Sequence, residues 1–278
     1  VKCLRIACTT IDTSTAATVR YYTRYHIEGQ DIAHAGFGQA GVRYMTLSFW
    51  HKHTKTGTHS FGVVSPPSDQ QYVAEYTQTT SNTWEKATHT FPVATAGTWA
   101  TDTGNGLTLY FATHIGSNYQ GTANTWGSGQ AYGTANQVNN FDSTSNVMRF
   151  TGVQLEMGSV ATNFEHRHIG EELALCQRYY WKLTNRTQNE GHMTSVTGKA
   201  ILKYWFPVHM RVAPSTTWTD GSSNVGKVTY HASIVSSAAN HNLGTGGGAI
   251  TNNEEHIICD SYTGYDVYAQ NYEADAEL

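Results

Sequence analysis

The sequence predicts an all-β protein: a β-sandwich, then one short helix, then a smaller β region. Three observations carry that prediction. Polarity resides in hydroxyls and amides, since Asp, Glu, Lys and Arg make up 14% of the 278 residues while Thr numbers 39, Gly 26 and Tyr 17; an average soluble domain is roughly 25% charged. Thr and Tyr pack well on a pleated surface, and Gly supplies the positive φ of tight turns. Stretches that alternate apolar and polar residues recur at short intervals, separated by spacers rich in Gly, Asn, Ser and Thr. Only one stretch repeats its apolar residues at the three-and-four spacing of a helix.

Strands are expected over residues 17–28, 42–53, 57–65, 70–78, 83–93, 106–115 and 146–156. In VRYMTLSFWHKH the alternation puts Met45, Leu47 and Phe49 on one face, which makes them core residues. In NGLTLYFATHIG it sets Leu107, Leu109 and Phe111 opposite Thr108, Tyr110 and Ala112. Gly152 interrupts NVMRFTGVQLEMG and reads as a bulge or a crossing point. Residues 116–145 form a long loop with Tyr119, Trp126 and Tyr132 interspersed; loops of this length inside a compact domain are usually functional or disordered. The helix is expected over GEELALCQRYYWKL, residues 170–183, with Leu173, Cys176, Tyr180 and Leu183 on one face and Glu171 and Glu172 at its N-terminus. That face is the candidate assembly interface, because one short helix does not stay folded unaided. Further strands are expected over 196–206, 226–236, 255–260 and 264–272, with the Gly- and Asn-rich residues 241–255 a flexible stretch or tip loop. The division is then 1–168, a linking helix 169–183, and 184–278.

Several function classes find little support. The net charge is −4 and no stretch concentrates Lys and Arg, so a nucleic-acid footprint is missing. No apolar run approaches the roughly 20 residues that cross a bilayer, so no membrane insertion is expected. Cys3, Cys8, Cys176 and Cys259 lack CxxC or finger spacing and read as reduced thiols. GTGGGAI at 244–250 lacks the spacing of a phosphate-binding loop, and the sequon Asn185-Arg186-Thr187 is a short pattern in a Thr-rich chain. Asp102, Asp142 and Asp220 sit in turn-like sequence and suit turn capping. Glu75 and Glu85 lie on expected strands, where a glycosidase-type pair is the alternative to solvated strand faces. No nucleophile elbow occurs, and the expectation is a non-enzyme without cofactor. Histidine numbers 14, with two His-x-His pairs, His51/His53 and His166/His168. On a strand such a pair points to one side and offers two imidazoles to a metal, but no acidic or Cys partner lies nearby in sequence, and the reading is of ordinary histidines.

The aromatic loop carries the sharper expectation. Sugars present apolar C–H faces and hydroxyl edges, so their binders combine flat rings with amides. Tyr119, Gln120, Asn124, Trp126, Gln130 and Tyr132 supply that mix, with Trp99 on an adjacent turn; the alternative is that Trp126 is tucked inward to pin the loop.

Five stretches go beyond pattern: MTLSFWHKHTKTG at 45–57, NTWEKATHTFPVATAGTW at 82–99, SNYQGTANTWGSG at 117–129, GVQLEMGSVATNFEHR at 152–167 and GEELALCQRYYWKL at 170–183. Together they resemble a carbohydrate-binding-module-like jelly-roll domain of tail-fibre and other virion structural proteins of bacteriophages. The resemblance implies a two-sheet jelly roll over roughly residues 17–183, a virion location after assembly in the host cytoplasm, a homotrimer contacting other virion proteins, and host attachment through surface glycans or capsid decoration. It supplies no catalytic residues. Asn163 stands where the resemblance leads one to expect a proline, and His51 where it leads one to expect a small apolar residue. Residues 184–278 carry no resemblance, and in such fibres a variable C-terminal end commonly holds target specificity. Two rivals remain: a purely structural head or tail protein, and a sugar-binding module of a polysaccharide-degrading enzyme.

Overall fold

The computed structural model describes residues 2–184, 192–193, 200–219, 225, 227–232, 235–240, 254–259, 266–268 and 270–277. The Gly-rich stretch 244–250, the sequon at 185–187 and Asp220 lie outside them, as does the side chain of Cys259. The chain forms two compact units, Val1–His166 and Arg167–Leu278.

The first unit contains β1 (Leu4–Ala7), β2 (Arg20–Glu28), the one-turn α1 (Gly29–Ile32), β3 (Tyr44–His51), β4 (Gly57–Val64), β5 (Gln71–Gln78), β6 (Glu85–Pro92), β7 (Asn105–Ile115), the two-residue β8 (Trp126–Gly127) and β9 (Val147–Met157). With β8 set aside, the eight remaining strands pair as a long hairpin folded on itself: β1 with β9, β2 with β7, β3 with β6 and β4 with β5, all antiparallel. Rolling that hairpin lays β3 beside β9 and β4 beside β7. The result is two sheets, β1-β9-β3-β6 and β2-β7-β4-β5-β8, and a jelly-roll sandwich.

Alternation in each strand decides what lies between the sheets. Met45, Leu47 and Phe49 from β3 meet Phe61 and Val63 from β4, Tyr72 and Ala74 from β5, Leu107, Leu109 and Phe111 from β7, and Met148 and Phe150 from β9 in one buried cluster. Phe49 is its hub. Its ring centroid lies 5.0 Å from Tyr76, 5.1 Å from Phe111, 6.1 Å from Phe150 and 6.4 Å from Phe61, so one side chain touches four other strands. Gly152 does mark a bulge: its φ is +58°, and the β3–β9 register shifts between Ser48 and Trp50 opposite it.

Three histidines close one end of this core. His51, His53 and His59 are buried, with ring centroids 5.2 Å apart for the first pair and 4.5 Å for the second. Each has its own protein partner. His51 Nδ1 bonds Gln78 Oε1 at 2.9 Å, His53 Nε2 bonds the Tyr76 hydroxyl at 3.1 Å, and His59 Nε2 bonds the Lys55 carbonyl at 3.1 Å. Gln78 fixes the arrangement further by accepting the His53 backbone N–H while donating to the carbonyls of Thr80 and Thr83. Burial holds all three rings neutral, lowering His53 to about 2, His59 to about 4, and His51 in the same direction.

In the second unit the helix is shorter than its sequence suggests. α2 spans Ile169–Gln177, and Tyr180–Leu183 is a strand, β10. Tyr180 and Leu183 therefore do not continue the face of Leu173 and Cys176. The run Tyr-Tyr-Trp favours strand, and β10 finds a partner in β18 (Gln270–Asp275), itself paired to β13 (Ser215–Thr219). Sheet β10-β18-β13 covers a core of Tyr204, Phe206, Met210, Trp218 and Tyr272, in which Tyr204 and Tyr272 stack at 4.3 Å and Leu183 packs from one side. The other strands are β11 (His192–Met193), β12 (Ala200–Trp205), β14 (Lys227–Ala232), β15 (Val235–Asn240), β16 (Glu254–Cys259) and β17 (Asp266–Tyr268). They form the sheets β11-β12-β16 and β15-β14-β17.

Two outcomes follow from this core. Phe49→Ala is expected to destabilise the first unit by about 3–5 kcal/mol, read from the urea midpoint. The histidines set an acid limit. Their folded pKa values lie below the unfolded value of 6.5, so their contribution is complete above pH 6.5 and is lost as pH falls from there towards about 4. Denaturant midpoints between pH 7 and pH 5 should drop, with each histidine contributing up to about 1.4 kcal/mol per pH unit.

Candidate functional site

Residues 116–140 do not project from the sandwich; they lie across the outer face of the five-stranded sheet. Small side chains make this approach feasible. A Cβ on Gly62 would stand 3.0–3.2 Å from the backbone of Tyr132, and one on Gly133 would stand 2.5 Å from Ser60 Oγ. The loop is then tied down bond by bond: the Tyr132 N–H donates to the Tyr119 carbonyl at 2.9 Å, Ser60 Oγ to Gln137 Oε1 at 2.5 Å, and Asn136 Nδ2 to Glu75 Oε1 at 3.0 Å. The Gln71 side chain accepts the Ala131 N–H. Beneath it a second apolar cluster forms from Val64, Tyr110, Ala112, Ile115 and Tyr132, flanked by Tyr22 and Tyr119.

The loop residues named from sequence separate into different places. Trp126 turns inward: Nε1 donates to the Pro92 carbonyl at 2.7 Å, and its ring packs beside Tyr72 at 5.4 Å and Trp99 at 5.9 Å. Trp99 is committed likewise, its Nε1 bonded to the Ala96 carbonyl and its ring 4.3 Å from Phe37. Both rings pin the sandwich edge. Gln120 donates to the Ile115 carbonyl and, with Trp126, borders a small groove of about 340 Å³ beside Gln71 and Thr122. Asn124 is exposed, in a left-handed turn with φ +63°. Tyr119 stacks on Tyr132 at 5.5 Å, with the Arg20 guanidinium over its other surroundings at 5.3 Å from the ring centre.

Tyr132 belongs to a second groove, also about 340 Å³, which sequence reasoning missed. One wall is the edge strand β2, with Arg20, Tyr22, Arg24 and His26 at alternate positions; β7 contributes Asn105, Thr108 and Tyr110. The turn after β4 adds Ser65, Pro66 and Ser68, and the loop adds Gln130 and Tyr132. Tyr22, Tyr110 and Tyr132 meet with ring centroids 4.4–5.0 Å apart, a rigid aromatic floor. Burial, reinforced by the neighbouring phenols, pushes the Tyr132 hydroxyl up to about 12, so it stays a donor. It donates to Gln130 Oε1 at 3.1 Å, and Gln130 Nε2 reaches Ser68 Oγ at 3.2 Å, which closes the rim. At the other end His26 Nδ1 lies 2.9 Å from both Asn105 Nδ2 and Thr108 Oγ1. The segment RYYTRYHIE lies within the strand expected over 17–28, and strand alternation alone does not tell that its alternate residues wall a groove.

The carboxylates considered for catalysis are engaged elsewhere. Glu85 accepts the N–H groups of Thr79 and Thr80, Glu75 accepts from Asn136, Asp102 caps its own turn at Gly104, and Asp142 pairs with Lys55. Among the described residues no three His, Cys, Asp or Glu are grouped to hold a metal ion. His166 rests edge-on against Phe164, and His168 caps α2 by accepting the Gly170 N–H at 3.2 Å, so that pair is engaged separately too. No residue of α2 is buried, with Leu173 54% exposed and Ile169 76%, and Cys176 is an exposed thiol. No described helix is long and apolar enough to cross a membrane. The chain matches no known family model and no curated protein sequence.

The close approach of loop and sheet has a consequence for the groove. Gly62→Val should push Tyr132 off β4, costing about 1–3 kcal/mol and weakening the near-UV tyrosine signal while the far-UV spectrum keeps its β character.

Proposed function

We propose that the first unit is a non-enzymatic glycan-binding jelly roll, and that the chain is a bacteriophage virion protein, a tail-fibre or capsid-decoration subunit that attaches to host-surface sugars. The observation that carries this reading is the groove on the five-stranded sheet. A half-buried ring, Tyr22, packs against Tyr110 and Tyr132 in a tyrosine floor, with amides, hydroxyls and guanidinium groups lining the groove around it. Rings of this kind receive the C–H face of a sugar, and their rigidity keeps the entropy cost of binding low. The jelly-roll topology and the quoted sequence stretches support the virion setting.

Single-site sugar contacts are weak, and attachment then depends on several copies engaging one surface, for which a homotrimer on a particle is the proposed arrangement. The unburied face of α2, Ile169 and Leu173 above all, favours a second reading in which assembly contacts are the chain's main task.

The test combines mass by light scattering with a glycan array, using the full chain. A trimer that binds defined glycans, and a Tyr22→Ala variant that keeps its mass but binds about tenfold more weakly, are the expected outcomes; one lost ring contact of about 1.4 kcal/mol corresponds to that factor. A trimer that binds no glycan moves the assignment to structural decoration.

A further inference from the structure

The groove carries charge as well as rings. On a chain with 14% charged residues and a net charge of −4, two arginines occupy alternate outward positions of one edge strand. Side chains two apart on a strand sit about 7 Å from each other, so Arg20, Tyr22, Arg24 and His26 form a row of cation, ring, cation and imidazole. Neither guanidinium has a carboxylate partner among the described residues. Arg20 contacts the Tyr119 ring, and Arg24 lines the groove beside Tyr110. The acids of β2 and of the turn after β4 are turned to other work: Glu28 is buried and receives Gln30 Nε2 at 2.8 Å, while Asp69 is held by Ser65 Oγ and the Thr98 N–H. No carboxylate lines the groove.

The far end adds neutral recognition. Because His26 Nδ1 faces the Asn105 amide, its ring proton sits on Nε2 and is available to a ligand acceptor. Burial and the neighbouring Arg24 keep that imidazole neutral. Asn105 spends its N–H groups on His26 and Thr108, while its own Oδ1 is buried without a donor.

We infer that the groove selects acidic glycans: sugars bearing carboxylates or sulfate esters, whose anionic groups pair with Arg20 and Arg24 while a ring lies on Tyr22 and an acceptor oxygen meets the His26 ring N–H. This rests on the glycan-binding reading and narrows it to a substrate class. Guanidinium is suited to both anions because its planar fork bonds two oxygens at once, and charge-assisted bonds of that kind are about twice as strong as neutral ones.

The experiment is calorimetric titration of the full chain with polygalacturonate, dextran sulfate, uncharged dextran and single-stranded poly-dT, repeated with Arg20→Gln/Arg24→Gln and with Tyr22→Ala. Both substitutions lie on an exposed or half-exposed strand face, and circular dichroism checks that the fold is kept. The expected result is that one or both acidic polysaccharides bind at least about tenfold tighter than dextran, and that the double variant abolishes this advantage. Polygalacturonate against dextran sulfate then tells carboxylate from sulfate recognition. Dextran binding equal to that of the acidic polymers, unaffected in the double variant but lost in Tyr22→Ala, overturns acidic selectivity and leaves the glycan reading standing. Binding of poly-dT as tight as that of the acidic polysaccharides, with Tyr22→Ala silent, overturns the inference in favour of a general polyanion patch. Failure of every polymer to bind overturns both readings.

Discussion

The five-stranded sheet is buried on both faces over most of β4 and β7 and at Val73 of β5, and that double burial organises the first unit. On the inside it packs against the four-stranded sheet around Phe49; on the outside it is covered by the loop that crosses Ser60 and Gly62. Covering the outer face demands small residues on β4 and polar partners for the loop's backbone, both of which the chain supplies. β2 and the adjoining side of β7 lie beside this cover and not under it. The groove lies there because it is where the sheet has an outer face left to offer.

Much of the sandwich was legible because alternation is a local signal. Strands expected over 57–65 and 70–78 correspond to Gly57–Val64 and Gln71–Gln78, and the inward set of β3 follows from its pattern alone. The four-residue β1 is too short to show a period, and is a strand because β9 receives it. The helix was read too long because YYWKL satisfies both a helical and a strand pattern, and pairing with β18 decides. The site was legible only in part. Length and aromatic content marked the loop, yet nothing local tells that Trp126 turns in while Tyr132 joins a groove. The groove's other wall comes from β2, more than 100 residues away in sequence, and only the closing of β2 on β7 brings the two together.

The histidine cluster illustrates how a polar ring serves as core. His51, His53 and His59 are tied to a glutamine amide, a phenol and a carbonyl, partners that neutral imidazole can satisfy without a counter-ion. They pack among Tyr76 and Phe150 as aromatic discs with directional edges, which fixes one end of the sandwich more specifically than aliphatic side chains would.

If the groove binds as proposed, recognition can change over generations independently of the fold. Three of the groove's side chains, Arg20, Arg24 and His26, are encoded within seven consecutive codons on an edge strand and belong to none of the apolar clusters. On the proposed reading, substitutions at these three positions alter what is bound while leaving the roll, the loop and the floor of Tyr22, Tyr110 and Tyr132 in place. Such a layout separates the parts of the gene that must be preserved for folding from the few positions free to follow a changing target surface.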